Sequence, residues 1–70
     1  MNKNNRIFVI FAIEEGFTPE FFGGYTNWEI AKENLMAIMK DDYEDWEKFD
    51  NNTWVWYGKR NYYIQRIIIT

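Results

Sequence analysis

The hydrophobic positions change period twice along the chain. Ile7 to Ile13 is an unbroken apolar run of β-branched and aromatic residues. That composition over so short a stretch predicts a strand buried on both faces, hence a central one. Glu15-Gly16-Phe17-Thr18-Pro19-Glu20 is a loop punctuated by Gly and Pro. Phe21 to Tyr25 then returns as a second strand, where Gly23-Gly24 predicts a bulge or a close backbone approach. From Trp28 the period becomes helical: Trp28, Ala31, Leu35, Ile38 and Met39 form one apolar stripe. Thr26-Asn27-Trp28-Glu29 matches a capping box with Thr26 as N-cap and Glu29 at N3, and Tyr25 and Ile30 hold the staple positions.

The stripe breaks at Asp41-Asp42 and resumes with Tyr43, Trp46 and Phe49. Because Asp favours caps over helix interiors, this predicts a short second helix capped by Asp42. A single kinked or continuous helix over 28–49 is the competing reading. Asp50-Asn51-Asn52 is a turn, Thr53 to Tyr57 a strand, Gly58-Lys59-Arg60-Asn61 a hairpin loop and Tyr62 to Ile69 the last strand. Met1 to Asn5 reads as a frayed polar end. The expectation is one α+β domain over 1–70 with order β-β-α-(α)-β-β. It has a four-stranded mixed sheet in spatial order 2-1-4-3, its central strands parallel, with one main helix and a short second helix on one face.

That arrangement presents more apolar sheet than it can cover. Four strands at ~4.8 Å make a sheet almost 20 Å wide, whereas a helix with its side chains is ~10–12 Å across. Aromatic residues are 21% of the chain, and strand one carries large apolar groups on both faces. Exposed apolar patches of this kind mark interaction surfaces. The expectation is a homodimer through the open sheet face or an edge strand, with Phe8, Ile10, Trp54, Trp56 and Ile68 at the interface.

Composition then removes whole classes of chemistry. There is no Cys and no His, so disulfides, thiol nucleophiles, histidine-based catalysis and a His- or Cys-ligated zinc are excluded. Neither a Walker loop nor G-x-G-x-x-G occurs. The expectation is a protein that is not an enzyme and has no cofactor and no metal. The apolar run at Ile7 is followed by Glu14-Glu15-Gly16 and not by a cleavage site. No stretch approaches the ~20 apolar residues of a membrane span, so the expected location is the cytoplasm of a bacterial host.

Charge is uneven. All eleven acids lie between Glu14 and Asp50, leaving a net charge of −3 and mildly basic ends. The block Asp41 to Asp50 reads either as the solvated face of a helix or as an anionic patch for a basic partner. In the second reading Asp42, Glu44, Asp45, Glu47, Trp46, Trp54 and Trp56 are the partner-binding residues. Phe21 to Tyr25 ahead of the helix could cradle an anion on free N–H groups, although two glycines easing a strand into a helix explain it as well. Lys59, Arg60 and Arg66 with Trp54, Trp56, Tyr57, Tyr62 and Tyr63 have the ingredients of a stacking platform. Three cations against a negative net charge make direct nucleic-acid binding an unfavoured expectation.

Gly24-Tyr25-Thr26, the helix entry that follows it with Ala31-Lys32, and the closing strand Tyr63-Ile64-Gln65-Arg66-Ile67 resemble small phage and prophage accessory proteins of β-β-α-β-β type. The resemblance implies a protein that acts by binding, such as a stoichiometric inhibitor of a host (defence) protein, and it carries over no functional residue. Two alternatives stand beside it: a module that sequesters a small anionic molecule, and an acidic mimic of nucleic acid.

Overall fold

A computed structural model describes residues 5–69, so residues 1–4 of the end read as frayed lie outside the described residues. The elements are β1 (Arg6–Ile13), β2 (Glu20–Tyr25), α1 (Trp28–Met39), β3 (Tyr43–Asp50), β4 (Thr53–Gly58) and β5 (Asn61–Ile68). The fold is α+β: one helix lies on a five-stranded sheet of order β2-β1-β5-β4-β3. Every neighbouring pair is antiparallel. The four strands read from the sequence keep their relative order, with β1 and β5 in the centre.

The segment expected to form a second helix is instead the edge strand β3, and this corrects the four-stranded mixed sheet. One extra strand after the helix reverses the direction of everything that follows. The central pair β1–β5 is therefore antiparallel, not parallel. The spacing of Tyr43 and Trp46 is compatible with a strand because β3 carries a bulge. The register slips between Tyr43 and Asp45, so Tyr43 faces Gly58 and Trp46 faces Trp56. An extra residue restores side-chain parity, and both aromatics reach the helix side of the sheet. A second slip between Lys48 and Asp50 takes up Phe49 in the same way.

Two further local features stop the helix where the aromatic stripe does not. Lys40 closes it in the left-handed region (φ 52°, ψ 46°), its N–H donating to the Met36 carbonyl at 2.9 Å. Asp41 follows at φ 68°. Two successive left-handed residues turn the chain back on itself. The returning backbone at Asp42 and Tyr43 passes so close to Gly58 that a β-carbon there would overlap the Asp42 carbonyl. Gly58 is the position at which β3 can dock on β4.

The core lies between α1 and the even-numbered positions of the sheet. Ala31, Leu35 and Met39 of the helix meet Phe8, Ile10, Ala12, Trp56, Tyr62 and Ile64. Phe8, Ile10 and Trp56, expected at a dimer interface, are thus taken into the core of a single copy; Trp56 is 1% exposed. Of the remaining two, Trp54 is partly buried on the same side and Ile68 is exposed at the end of β5. The uncovered face is the odd-numbered one.

The helix N-cap is Asn27, one residue later than the capping box places it. Its Oδ1 accepts the N–H groups of Glu29 at 2.7 Å and Ile30 at 3.2 Å. Asn at that position satisfies two free donors of the first turn, which leaves Thr26 outside the helix. Asn27→Ala is therefore expected to cost about 1 kcal/mol in a denaturant titration, and Thr26→Ala less than ~0.5 kcal/mol. A larger loss at Thr26 than at Asn27 would contradict this cap.

Candidate functional site: a tryptophan groove

The helix packs over β2, β1 and β5 and stops short of the β4–β3 side. The strip it leaves is where all four tryptophans gather. Trp28, from the first turn of α1, lies 4.4 Å from Trp54 and 6.4 Å from Trp56, centroid to centroid. Trp46 of the edge strand stacks on Trp56 at 5.8 Å and 20°. Phe8 closes the inner end against Trp28 at 5.9 Å. Strand alternation and the first β3 bulge make this possible, since both place Trp46, Trp54 and Trp56 on the helix side of two adjacent strands.

Between these rings and the helix is a groove of about 480 Å³, lined by Arg6, Phe8, Trp28, Lys32, Trp46, Trp54 and Arg66. Its size falls within the ~300–1,000 Å³ range of small-molecule sites. Three of its seven lining residues are cations and none is an acid. Lys32 Nζ sits 5.9 Å from the Trp46 ring centroid, Lys48 Nζ 5.7 Å from Trp54, and the Arg66 guanidinium carbon 5.9 Å from Trp54. Arg66 is held in place: its Nε donates to Asn52 Oδ1 at 3.0 Å and its Nη2 to the Asn51 carbonyl at 2.8 Å. Among the described residues, ion pairs are made only by Arg60, with Glu14 and Glu20. Arg6, Lys32, Lys48 and Arg66 thus face the groove side without a paired carboxylate among those residues.

The acids and tryptophans expected to form one partner-binding patch are divided by the fold. Asp42 precedes β3, and Glu44 is the extra residue of its first bulge. Asp45 and Glu47 point to the opposite face of the sheet from Trp46, opposite Tyr57 and Val55. Trp46 and Trp54 belong to the groove, and Trp56 supports it from the core. The second cationic set, Lys59, Arg60 and Arg66, is also separated. Arg60 lies at the other end of β5 from Arg66, where its Nη2 bonds Glu20 at 2.8 Å and its guanidinium covers the Tyr62 ring at 5.5 Å. It ties the β4–β5 turn to β2, and the hydrogen bond to Glu20 raises its already high pKa. The helix entry at Phe21 to Tyr25 contributes to packing: Phe22 and Tyr25 lie against the core.

What sequence reasoning missed is the set Arg6, Lys32, Lys48 and Arg66 around four tryptophans. The alternation Trp46-x-Lys48 and Trp54-x-Trp56 is the signal that could have found it, had 43–50 been read with period two. Among the described residues no group of His, Cys, Asp and Glu could hold a metal ion, and no helix is long and apolar enough to cross a membrane.

On the opposite face, Tyr57 donates its hydroxyl to Glu47 Oε2 at 3.0 Å. That bond, helped by partial desolvation and the nearby negative charge, raises the tyrosine above its usual 10.0. The folded state holds this proton more tightly than the unfolded chain. The bond's stabilisation is therefore complete below pH 10 and is lost as pH rises through the elevated value. In an ultraviolet titration, Tyr57 is expected to ionise later in the Glu47 protein than in Glu47→Gln. Identical curves would mean that the hydrogen bond does not persist in solution.

No protein-family model matches this chain, and neither curated proteins nor solved structures show a match to it, so the functional reading rests on the groove and on the faces of the sheet.

Proposed function

We propose that this chain is a non-catalytic binding module that captures a small anionic molecule in the tryptophan groove. The observation that carries the reading is the segregation of charge. A chain of net charge −3 has four of its eight cations around one aromatic groove, with no carboxylate lining it. Gathering several like charges without a carboxylate partner among the described residues costs free energy, and an anion at that spot would recover it. Cations held near indole faces also keep much of their attraction for an incoming anion, because the rings shield them from water on one side. The resemblance to phage accessory proteins supplies a setting, the cytoplasm of a bacterial host, in which stoichiometric capture is a sufficient activity. Direct blocking of a host defence protein through an acidic patch joined to the tryptophans draws less support, since Asp45 and Glu47 lie on the opposite face of the sheet from Trp46.

Tryptophan fluorescence tests this. Aromatic polyanions are expected to quench the signal and to bind more weakly as salt rises, while uncharged analogues have little effect. Arg6→Glu combined with Lys32→Glu should abolish the response with circular dichroism unchanged. Equal quenching by charged and uncharged compounds would remove the proposal.

A second surface supports the homodimer. The odd-numbered face has no covering element and carries Ile7, Val9, Phe11 and Tyr63 partly buried, with Phe21 69%, Ile67 45% and Ile13 41% exposed. Both sheet edges are poor for pairing: β3 is crowded with charge, and β2 is bulged opposite Ile10/Phe11. A second copy would therefore stack face to face. Five strands of ~7 residues make a face on the order of 500 Å² before side-chain relief. Two such faces approach the ~1,200 Å² at which stable interfaces begin. Sedimentation at micromolar concentration is expected to give a dimer, and Phe11→Glu a folded monomer. A wild-type monomer under those conditions would exclude this interface.

A further inference from the structure

We infer that the ligand of the groove is a nucleotide, a stacked base carrying phosphate; this rests on the reading of the groove as an anion site and narrows it. The groove pairs two kinds of recognition at one place. Trp46 is 49% exposed although it is the outermost ring of the cluster, backed by Trp56 at 5.8 Å. A half-exposed indole backed by a second ring, with the Lys32 ammonium 5.9 Å from its centroid, is a platform for a planar ring that carries negative charge, and base–aromatic stacking tolerates any base because each has a π-face. Trp54, partly buried, forms the other wall, edged by Lys48 and Arg66.

The charged groups are set for phosphate. Arg66 is fixed by two hydrogen bonds, from Nε and Nη2, to the Asn51–Asn52 turn, so its guanidinium is pre-organised beside Trp54. Arg6 lies one strand away, its partner across β5 being Ile68, two residues from Arg66. Lys32 reaches over from the helix at the Trp46 end. Cations therefore stand at both ends of a short aromatic floor, so a base stacked on it has a cation within reach of its phosphate. An acidic peptide would satisfy the cations but leave the indole faces without a planar partner. An uncharged aromatic would do the reverse. The groove is of small-molecule size, so it accepts a free nucleotide or one nucleotide of a single strand.

Calorimetry on the full-length protein separates these cases, using a nucleoside monophosphate, its nucleoside, pyrophosphate, a short polyglutamate peptide and an oligothymidylate. The nucleotide is expected to bind at least about tenfold more tightly than the nucleoside and than pyrophosphate, because stacking and phosphate contacts each contribute that much. Trp46→Ala should lower nucleotide affinity to that of pyrophosphate, with Trp46→Phe recovering part of it. Lys32→Gln should lower it toward that of the nucleoside. Circular dichroism of each variant guards against loss of fold. An oligothymidylate that binds more tightly than the mononucleotide identifies a strand as the source; equal affinity per site identifies the free nucleotide, and both support the inference. Pyrophosphate or polyglutamate binding as tightly as the nucleotide overturns the nucleotide while leaving the anion site intact. No binding by any of the anions overturns both.

Discussion

A single helix laid across five strands is the constraint from which the remaining features follow. Trp28–Met39 packs over β2, β1 and β5, and a helix is ~10–12 Å wide where five strands span about twice that. Two consequences are unavoidable. One whole face of the sheet has no cover, and on the covered face a strip along β4 and β3 lies beyond the helix. The chain fills the edge of that strip with its largest side chains. Trp28 leans out from the first turn of α1 to meet Trp54 and Trp56, which seals the core and also forms one wall of the groove. The core and the groove wall use the same rings.

Charge is sorted by the same geometry. In a strand, neighbours along the chain point to opposite faces, so Asp45 and Glu47 are carried away from Trp46 and Lys48, although the four are consecutive in the sequence. A helix over these residues would have mixed the charges around one surface. The result is a groove with cations at its rim on one face, and a tyrosine–glutamate hydrogen bond on the other. Net charge, which weighs against an anionic ligand when read over the whole chain, is a poor guide once the two faces are separated.

The division of the chain into strands, loops and one main helix was legible wherever periodicity was long and uniform. Ile7–Ile13 is one unbroken apolar run, Trp28–Met39 holds one helical period, and Tyr62–Ile69 is rich in β-formers throughout. The core stripe Ala31, Leu35 and Met39 is the one read from spacing. The segment 43–50 was misread because Tyr43, Trp46 and Phe49 satisfy a helical spacing, and a β-bulge permits the same spacing in a strand. Bulges depend on the partner strand, here on Gly58 admitting the backbone of Asp42 and Tyr43. The two-residue left-handed turn at Lys40 and Asp41 likewise carries no glycine or proline to announce it. Phe8, Ile10 and Trp56, expected at a dimer interface, lie in the core of a single copy, because a run apolar on both faces does not say which face the helix will take.

By itself the amino-acid order determined an α+β domain with too much apolar sheet for one helix, no histidine or thiol chemistry, and a surplus of aromatic rings. Those properties are local or additive, and composition and periodicity carry them. Only the tertiary structure decided that β3 is a strand, that the even face is the covered one, and that Arg6, Lys32, Lys48 and Arg66 meet around four tryptophans. These residues are spread over sixty positions of sequence and belong to five different elements or turns. Their meeting depends on strand order and register, which arise from long-range pairing and are not written in any one segment.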